Sequence, residues 1–379
     1  MNGLISACLQ SENEIVEIAR DLVTAESPST DRDALERCAT VLAGRLTDAG
    51  ASIERVTAKS TAAHVLAEWR GAGPRVLLVG HFDTVWPVGQ LARMPLEVKD
   101  GKLFGPGVLD MKAGLAIGIT AARLVSSQMP EARRPAIRLV ATTDEEVGSA
   151  TSRALIETLA RESAAVLVLE PALPGGAVKT ARKGVGEFEL VAEGISSHAG
   201  ADPGAGASAV HEIARQIIHL AELNDPRRGL SVNIGVVDGG TRSNVVAERA
   251  RASIDVRIAR IEDATAIEQA LASIRPIDSR VRLTVTGRIN RPPMERTPGV
   301  ARLYEIARGV AADLGRSLAE GATGGASDGN FTAALGVPTL DGLGAVGEGP
   351  HALHEHVVIK ELGPRAALVA GLIARLGDN

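Results

Sequence analysis

The feature that most constrains the fold is a set of short, uninterrupted apolar runs separated by helical patterns. The runs are RVLLVG at 75–80, AIRLVATT at 136–143 and AAVLVLEP at 164–171. Short apolar runs bounded by turn residues are typical of strands that are buried on both faces of a sheet. Amphipathic patterns at 111–127 and 152–163 predict helices between these strands. We therefore predict that this part of the chain forms a mostly parallel α/β sheet.

The pattern changes from about Lys183 onward. Polar and apolar residues alternate at 186–194 and 249–259, and a helical pattern at 206–223 lies between these two segments. Alternation of this kind predicts strands with one buried and one exposed face. The order of strands and helix is typical of an open-faced α+β sandwich of the ferredoxin-like type.

The length of the chain allows two domains, because 379 residues of which 45% are hydrophobic can bury more than one core. Prolines near 287–298 indicate a boundary, and the α/β style resumes after them. We predict a first domain made of residues 1–182 and 293–379. A second domain, residues 183–292, is inserted into it.

The composition excludes several classes of function. The chain has a formal charge of -5 and contains two Trp, one Tyr and four Phe. It therefore lacks the excess of basic residues and the stacking aromatic residues that nucleic-acid binding requires. No apolar run approaches the roughly 18 residues of a membrane span, and the first residues lack a signal peptide's basic region. Cys8 and Cys38 are too few for a disulfide framework. We therefore predict a cytoplasmic protein with neither a nucleic-acid nor a membrane partner.

Metal-capable side chains follow each predicted strand of the first domain. In open α/β sheets, the carboxyl ends of the strands are where side chains meet a ligand. Several carboxylates brought to one edge would repel each other unless a cation held them together. We therefore predict a divalent metal site, with a pair of ions, at this edge. The residues are His81 and Asp83 after the first run, Asp144, Glu145 and Glu146 after the second, Glu170 after the third, and Asp110 before a helix.

The types of side chain indicate which metal is bound. Imidazole and carboxylate groups without a thiolate suit Zn, with Co, Mn or Ni as substitutes. Asp110 is the natural bridge between two ions. Glu145 and Glu146 are adjacent, so one can face the metals while the other acts as general base for the attacking water.

A second histidine ligand is expected from the segment after the inserted domain. Three histidines, His351, His354 and His356, crowd together in GEGPHALHEHV. Their spacing alone does not choose among them.

The chain contains eight short segments: GHFDTV, GPGVLDMKAG, TTDEEVGS, LEP, SSHAG, GGTRSNVV, GGASDGNF and HALHE. Their order and spacing resemble those of the dinuclear zinc carboxypeptidases and amidohydrolases. This family includes glutamate carboxypeptidase G, acetylornithine deacetylase, succinyl-diaminopimelate desuccinylase and the aminoacylases. The resemblance covers nearly the whole chain, and it is strongest to the glutamate carboxypeptidase branch.

The resemblance implies a role for each metal-capable residue. Glu145 becomes the general base, and Asp83 becomes the partner that accepts the second ring N–H of His81. It also implies a cis peptide bond between Asp110 and Met111, and it selects His351 as the late ligand, with His354 as the alternative. Two Zn²⁺ ions per subunit are also implied, with Co²⁺ or Mn²⁺ as possible substitutes. His81 and Glu170 would hold one ion, Glu146 and His351 would hold the other, and Asp110 would bind both.

The inserted domain resembles the family's lid and dimerisation domain. The resemblance implies that the chain forms a homodimer and that His198 reaches the partner subunit's active site, where it stabilises the tetrahedral oxyanion. Four further residues would contact the substrate, and a planar guanidinium suits capture of a free carboxylate. These four are Asn244, Arg257, Arg291 and Gly325.

Together these observations predict a zinc-dependent hydrolase of small N-acyl or peptidyl amino acids. It would cleave the amide bond before a C-terminal amino acid, with glutamate as the first candidate. The alternative within the same chemistry is an N-acyl amino acid deacylase. A non-catalytic binding protein is a remote alternative, because every ligand position and the base are filled. A nucleotide-dependent oxidoreductase would need a GxGxxG turn after the first strand, and the sequence has none there.

Overall fold

The computed structural model describes residues 2–377 and divides them into two compact units. The second unit holds Arg182–Glu295 together with Thr323–Ala326, and the first unit holds the remaining described residues. Residues 323–326 were predicted to belong to the first domain. They join the second unit because the Lys183 N–H donates to the Thr323 carbonyl at 3.0 Å. Arg182 Nη1 also donates to the carbonyls of Gly325 and Ala326, at 3.1 and 3.2 Å.

The described helices alternate with strands along much of the chain. The helices are α1 (Asn2–Leu9), α2 (Glu12–Thr24), α3 (Arg32–Asp48), α4 (Ala113–Gln128), α5 (Arg153–Arg161), α6 (Ala209–Ala221), α7 (Glu262–Ala272), α8 (Pro298–Asp313), α9 (Gly329–Ala334) and α10 (Leu362–Gly377). The strands are β1 (Ser52–Val56), β2 (His64–Trp69), β3 (Gly73–His81), β4 (Glu97–Lys99), β5 (Lys102–Phe104), β6 (Pro135–Thr142), β7 (Ala165–Val168), β8 (Val178–Arg182), β9 (Gly184–Glu193), β10 (Ser231–Gly239), β11 (Arg249–Ile258), β12 (Arg282–Arg291), β13 (Glu320–Thr323), β14 (Thr339–Leu340), β15 (Gly347–Glu348) and β16 (His356–Val358).

The first unit is built on a six-stranded sheet in the order β1-β2-β6-β3-β7-β14. Neighbouring strands from β6 to β14 are parallel, whereas β1 and β2 add an antiparallel edge. The register places Leu78 of β3 beside Leu139 of β6 and Leu167 of β7. All three side chains are fully buried. The predicted fold class, a mostly parallel α/β sheet with a separate α+β part, is confirmed.

Both faces of this sheet are covered, which explains why its central strands are continuously apolar. On one face a large core includes Ile15 and Leu22 of α2, Leu115 of α4 and Leu372 of α10. On the other face a smaller core includes Ile156 of α5. The last six residues of β3 are buried, so this strand delivers its final residue to the edge of the sheet from inside the core.

The second unit is an antiparallel sheet in the order β10-β11-β9-β12. Residues of β11 alternate, with Ala252, Ile254 and Val256 buried in a core that includes Ile213 of α6 and Leu271 of α7. The side chains between them lie on the opposite, more exposed face of the sheet. The lid and dimerisation roles of this unit stay predictions.

One buried carboxylate, Glu212 of α6, joins that helix to the loop after α7. It is 1% exposed and accepts hydrogen bonds from Gln216 Nε2 and from the backbone N–H groups of Ile277 and Asp278, at 2.8, 2.9 and 3.1 Å. Burial alone would raise the pKa of Glu212, but these hydrogen bonds outweigh it and hold the pKa below its ordinary value.

A small antiparallel sheet in the order β15-β16-β5-β4 also belongs to the first unit. Its hairpin from β15 to β16 contains the three late histidines in or beside its turn. The first of them, His351, has a φ of 61°, which lies in the left-handed region. Within residues 2–377, every helix is too short or too polar to span a bilayer.

Candidate metal centre

Three ligand candidates reach the edge of the six-stranded sheet by different routes. His81 is the last residue of β3 and Glu170 lies two residues beyond β7, so both stand at the carboxyl ends of parallel strands. Asp110 lies in an irregular turn, Val108–Lys112, that leads into α4. The peptide bond after it, Asp110–Met111, is cis, as the resemblance implies.

The first cluster of side chains surrounds the imidazole of His81. Its Nε2 atom lies 3.2 Å from Asp110 Oδ1 and 3.5 Å from Glu170 Oε1. The His81 side chain is 2% exposed. One nitrogen and two carboxylates therefore converge on a point that is shielded from solvent.

The second cluster forms on the other side of Asp110. His351 Nε2 lies 3.2 Å from Glu146 Oε1 and 3.6 Å from Asp110 Oδ2. The two carboxylate oxygens of Asp110 thus face different histidines. This is the arrangement expected of a carboxylate that bridges two cations.

The donor set fits a divalent metal such as zinc. Ligand atoms of His81, Asp110 and Glu146 all lie within 4.8 Å of one another, and no thiolate takes part in this group. Nitrogen and oxygen donors of this kind suit Zn²⁺ and its usual substitutes. Three acids around one edge also need a positive charge to offset their repulsion.

The pKa of His81 reflects the surrounding carboxylates. Burial alone would lower this pKa, but the carboxylates of Asp110, Asp83 and Glu170 outweigh burial and raise the pKa well above its ordinary value. The surroundings of His81 therefore favour a positive charge at this point.

The pKa values of the second cluster follow the same logic. The hydrogen bond with Glu146 raises the pKa of His351 to about 9, against the opposing effect of burial. Burial raises the pKa of Glu146, and the nearby Asp110 adds to this, whereas His351 and His81 lower it. Both clusters thus gather negative charge around a nitrogen ligand.

The carboxylate of Asp83 has several partners. It was expected to accept the second ring N–H of His81, and its Oδ1 lies 3.4 Å from that Nδ1 atom, while the Asp83 carbonyl lies 3.0 Å from it. The carboxylate also accepts the backbone N–H groups of Glu145 and Glu146, at 3.2 Å each. It also accepts the hydroxyl of Ser29 at 2.7 Å. Asp83 therefore contacts His81 through both its main chain and its side chain, and the side chain also holds the Glu145 turn.

The three late histidines lie in different surroundings. His351 contacts Glu146, as described above. His356 Nδ1 lies 2.9 Å from the carbonyl of His354, and its ring packs on Phe104 with centroids 5.0 Å apart. The His354 ring lies against Gly349. Geometry thus favours His351 over His354, in agreement with the resemblance.

Two charged residues that were not among the predicted site residues hold the Asp110 turn. Glu355 is buried and accepts N–H groups from this turn. Lys112 is 1% exposed, and its Nζ donates to the carbonyls of Leu22 and Ala25, at 2.7 and 3.1 Å, at the end of α2. Both residues lie in segments that carry the resemblance, Lys112 in DMKAG and Glu355 in HALHE, but only the contacts in the structure show which groups they bind.

A buried histidine, His64 of β2, lies behind the turn that carries Glu145. Its Nδ1 and Nε2 atoms lie 3.1 Å from the hydroxyls of Thr143 and Thr151. Burial lowers the pKa of His64, more than the carboxylate of Asp144 raises it. A neutral imidazole therefore links both ends of the turn. Nothing in the sequence around His64 marks it for this position.

Glycines allow a close approach behind Glu170. A Cβ atom on Gly114 of α4 would lie 2.1 Å from the Leu169 carbonyl oxygen, and one on Gly344 would lie 2.0 Å from the same atom. Both distances are far below van der Waals contact. The backbone that carries Glu170 is thus held between two elements by residues without side chains.

His198 and Asn244 lie in the second unit, and their surroundings are described within it. Both are exposed. His198 Nδ1 accepts the N–H groups of Gly200 and Ala201, at 3.1 and 3.0 Å. In a neutral imidazole the proton is then on Nε2, which leaves His198 with a hydrogen-bond donor. The backbone carbonyl of Asn244 accepts the N–H of Ala199 at 3.0 Å.

The remaining substrate-binding candidates also belong to the second unit. Arg257 donates through Nε and Nη2 to the two carboxylate oxygens of Asp255, at 2.8 Å each. Its Nη1 lies 3.5 Å from the Gly324 carbonyl, next to the exposed Gly325. Arg291 is 9% exposed at the end of β12. Asp255, which was not among the predicted site residues, occupies one edge of the Arg257 guanidinium.

Comparison with known proteins adds a family and named relatives. A family model described as peptidase family M20/M25/M40 matches residues 77–375. Carboxypeptidase G2 from Pseudomonas sp. strain RS-16 is 28% identical, over 99% of this chain and 92% of that protein. Succinyl-diaminopimelate desuccinylase from Cereibacter sphaeroides is 31% identical, over 93% of this chain and 96% of that protein.

Solved structures have the same fold. Aminopeptidase PepT from Bacillus cereus has a TM-score of 0.79 at 23% identity, over 96% of this chain and 98% of that one. The Bacillus subtilis YXEP protein, described as a dinuclear metal binding peptidase, has a TM-score of 0.72 at 17% identity. That match covers 97% of this chain and 98% of the other.

Proposed function

The chain belongs to the peptidase family M20/M25/M40, and on this premise we propose that it cleaves the amide bond before a C-terminal amino acid. Family membership confirms the prediction of a hydrolytic enzyme acting on peptides or acyl amino acids. Glutamate is the first substrate residue to test, since carboxypeptidase G2 is similar along 99% of this chain.

The observation that carries the proposal is the environment of Asp110. Its two carboxylate oxygens face different histidines, at 3.2 Å from His81 Nε2 and 3.6 Å from His351 Nε2. Each histidine has a further carboxylate beside it. In this proposal two Zn²⁺ ions, or Co²⁺ or Mn²⁺ in their place, are held by His81, Glu170, Glu146, His351 and the bridging Asp110. When bound, the ions would supply Lewis acidity toward the amide carbonyl and toward water.

Glu145 performs the proton transfers in the proposed reaction. Its carboxylate takes a proton from the attacking water and later gives it to the leaving amine. The Asp83 carboxylate supports this role because it holds the backbone N–H groups of both Glu145 and Glu146. A fixed backbone limits the directions that the Glu145 side chain can take.

Residues of the second unit would bind and polarise the substrate. The Nε2 proton of His198 would donate to the oxyanion that forms on the carbonyl, in a homodimer where this histidine serves the partner subunit. Arg257, Arg291, Asn244 and the backbone of Gly325 would hold the free carboxylate of the leaving amino acid. Two arginines suit this task, because a guanidinium pairs with a carboxylate through two parallel hydrogen bonds.

The second candidate is hydrolysis of N-succinyl or other N-acyl amino acids. The 31% identity to a succinyl-diaminopimelate desuccinylase over 93% of this chain favours it. Both reactions release an amino acid from an acyl group through the same attack on an amide carbonyl. They differ in which end of the substrate the pocket must recognise.

A substrate panel combined with metal analysis tests the proposal. Purified protein should contain close to two zinc or exchangeable metal ions per chain, and a chelator should abolish hydrolysis. Faster release of glutamate from folate-like N-acyl-glutamates than of acetate or succinate from acyl amino acids would support the carboxypeptidase hypothesis. The reverse order would support the second candidate, and no hydrolysis of either class by metal-loaded protein would refute both.

Variants separate the base from the ligands. Glu145→Ala should keep both metal ions and lose turnover by at least about a hundredfold, the usual scale for a general base. Asp110→Ala should lose the metals. The exposed Glu131→Ala is the matched control and should behave as wild type. Normal turnover in Glu145→Ala would exclude this residue as the base.

A further inference from the structure

We propose that Glu355 is a positioning residue that holds the turn carrying Asp110 against the turn carrying His351. The first turn is Gly107–Met111 and the second is Gly349–Glu355. The inference deepens the proposed function and rests on it, because both turns carry a ligand of the proposed metal pair. Glu355 itself contacts neither substrate nor metal in this proposal.

The carboxylate of Glu355 gathers four hydrogen bonds. Oε1 accepts the backbone N–H groups of Leu109 and Asp110, at 2.9 and 3.1 Å. Oε2 accepts the N–H of Gly107 at 2.9 Å and the indole N–H of Trp86 at 3.0 Å. The residue is 1% exposed, so water does not compete for these donors. Three of the four bonds restrain the turn that presents Asp110.

The four partners require an ionised carboxylate. Both oxygens face N–H donors only, and a protonated carboxyl group would direct its own O–H at one of them. Hydrogen bonds to an ionised acceptor are about twice as strong as neutral ones. The turn is shaped for this contact, because Gly107 has a φ of 70° and a Cβ there would lie 2.5 Å from Thr84 Cγ2. Its amides can therefore converge on a single anion, as in other backbone nests.

The main chain of Glu355 belongs to the His351 turn. Its N–H donates to the Ala352 carbonyl at 2.9 Å, and the Ala352 N–H donates to the Gly349 carbonyl at 2.9 Å. The Glu355 carbonyl accepts the N–H of Gly105 at 3.4 Å, just ahead of the Asp110 turn. The side chain and the backbone of one residue thus connect both turns. This connection sets the 3.6 Å separation between Asp110 Oδ2 and His351 Nε2.

The variant Glu355→Gln tests the role with little change of shape. Its amide NH₂ would face N–H donors in either orientation, so about half of the acceptor capacity is lost. Metal affinity should fall about 10- to 100-fold, as for other residues that orient ligands. In metal-free protein, hydrogen exchange at the amides of Leu109 and Asp110 should become faster. Substrate KM should stay within about twofold while kcat falls, because the proposed carboxylate-binding residues lie in the other unit.

The matched control is Glu348→Gln, the same change at an exposed position of β15 in the same hairpin. It should leave metal affinity and exchange unchanged. Metal affinity is measured by competition with a chromophoric chelator, and exchange by mass spectrometry of the peptide that covers residues 105–112. If Glu355→Gln does not fold, Trp86→Phe removes one of the four donors and should shift both measurements in the same direction by a smaller amount.

Weaker metal binding together with faster exchange supports the positioning role. Wild-type values for either measurement overturn it. Neither measurement uses a substrate, so absence of amide hydrolysis in the wild type would refute the proposed function without changing the result for Glu355.

Discussion

The same substitution, glycine to alanine inside a helix, should have opposite effects at two positions of the first unit. A Cβ on Gly44 of α3 meets nothing within 4 Å, whereas a Cβ on Gly114 of α4 would lie 2.1 Å from the Leu169 carbonyl oxygen. Gly44→Ala should therefore gain only the helix propensity of alanine, about 1 kcal/mol. Gly114→Ala gains the same propensity but must also relieve a collision with the backbone.

The size of the collision follows from the distance. An approach of 2.1 Å has to open by more than about 1 Å before the Cβ and the oxygen reach ordinary contact, and packed interiors resist such shifts. Over-packing typically costs about 1–3 kcal/mol, so after the propensity gain Gly114→Ala should be less stable by up to about 2 kcal/mol. The residue displaced with Leu169 is Glu170. A misplacement of about 1 Å at this ligand should lower kcat/KM by about a hundredfold.

Urea unfolding of the metal-free variants, followed by far-UV circular dichroism, measures the stability difference without any contribution from bound metal. Metal content and amide hydrolysis are then measured on the metal-loaded proteins. We expect Gly44→Ala to be more stable than wild type and fully active, and Gly114→Ala to be less stable and nearly inactive. Equal stability and activity in the two variants would refute the idea that a tight backbone contact positions Glu170.

Three further predictions concern the second unit. Glu212→Gln should lower the free energy of unfolding by about 1–3 kcal/mol at pH 7. The folded-state pKa of Glu212 is lowered, so the extra stability of the wild type is complete above the ordinary pKa of 4.5 and is lost as pH falls through the folded-state pKa. Urea unfolding at pH 7 and at pH 4 measures this difference in stability. The same difference at both pH values would contradict the prediction. Asp255→Asn should raise KM for substrates with a free carboxylate about tenfold by loosening Arg257, without changing metal content, and steady-state kinetics with an unchanged KM would show that Asp255 does not orient this arginine. His198→Ala should lower kcat by about 10²–10³ with little change in KM, and an unchanged kcat would remove both the oxyanion role and the main chemical argument for a dimer.

The sheet and its ligand edge could be predicted from the sequence because both follow local rules. A strand buried on both faces must be apolar throughout, so RVLLVG identifies β3, and His81 is simply the first polar residue after it. The strand β7 ends at Val168, so Glu170 lies just past its carboxyl end. Pattern and chain direction are enough to bring these side chains to one edge.

Side-chain direction could not be predicted in the same way. Asp83 was expected to turn its carboxylate toward the His81 ring, but nothing in the sequence indicated that the same carboxylate also bonds the backbone of Glu145 and Glu146. These backbone partners lie in the turn that follows β6, and Glu145 is 62 residues from Asp83 along the chain. Contacts of this range leave no periodic signal in the sequence.

Contacts between residues that are far apart along the chain also limited what could be predicted for the second unit. Residues 323–326 follow the returning helix α8 in sequence, and hydrogen bonds from Arg182, Lys183 and Arg257 attach them to the inserted unit. The pairing of Arg257 with Asp255 is local by contrast. Residues two apart on a strand share a face, so this pair was open to prediction from the sequence.

The ligand candidates of the centre are made at different times during synthesis of the chain. His81, Asp110, Glu146 and Glu170 all precede the inserted unit, whereas His351 comes 181 residues after Glu170 along the chain. A ribosome that adds about 5–20 residues per second takes roughly ten to forty seconds to cover that interval. During this time the nascent chain already carries most of the acids, while β14 and the hairpin of His351 have not been made. Completion of the centre therefore waits for a segment that is made well after the inserted unit, and until then Asp110, Glu146 and Glu170 lack the second histidine of the centre.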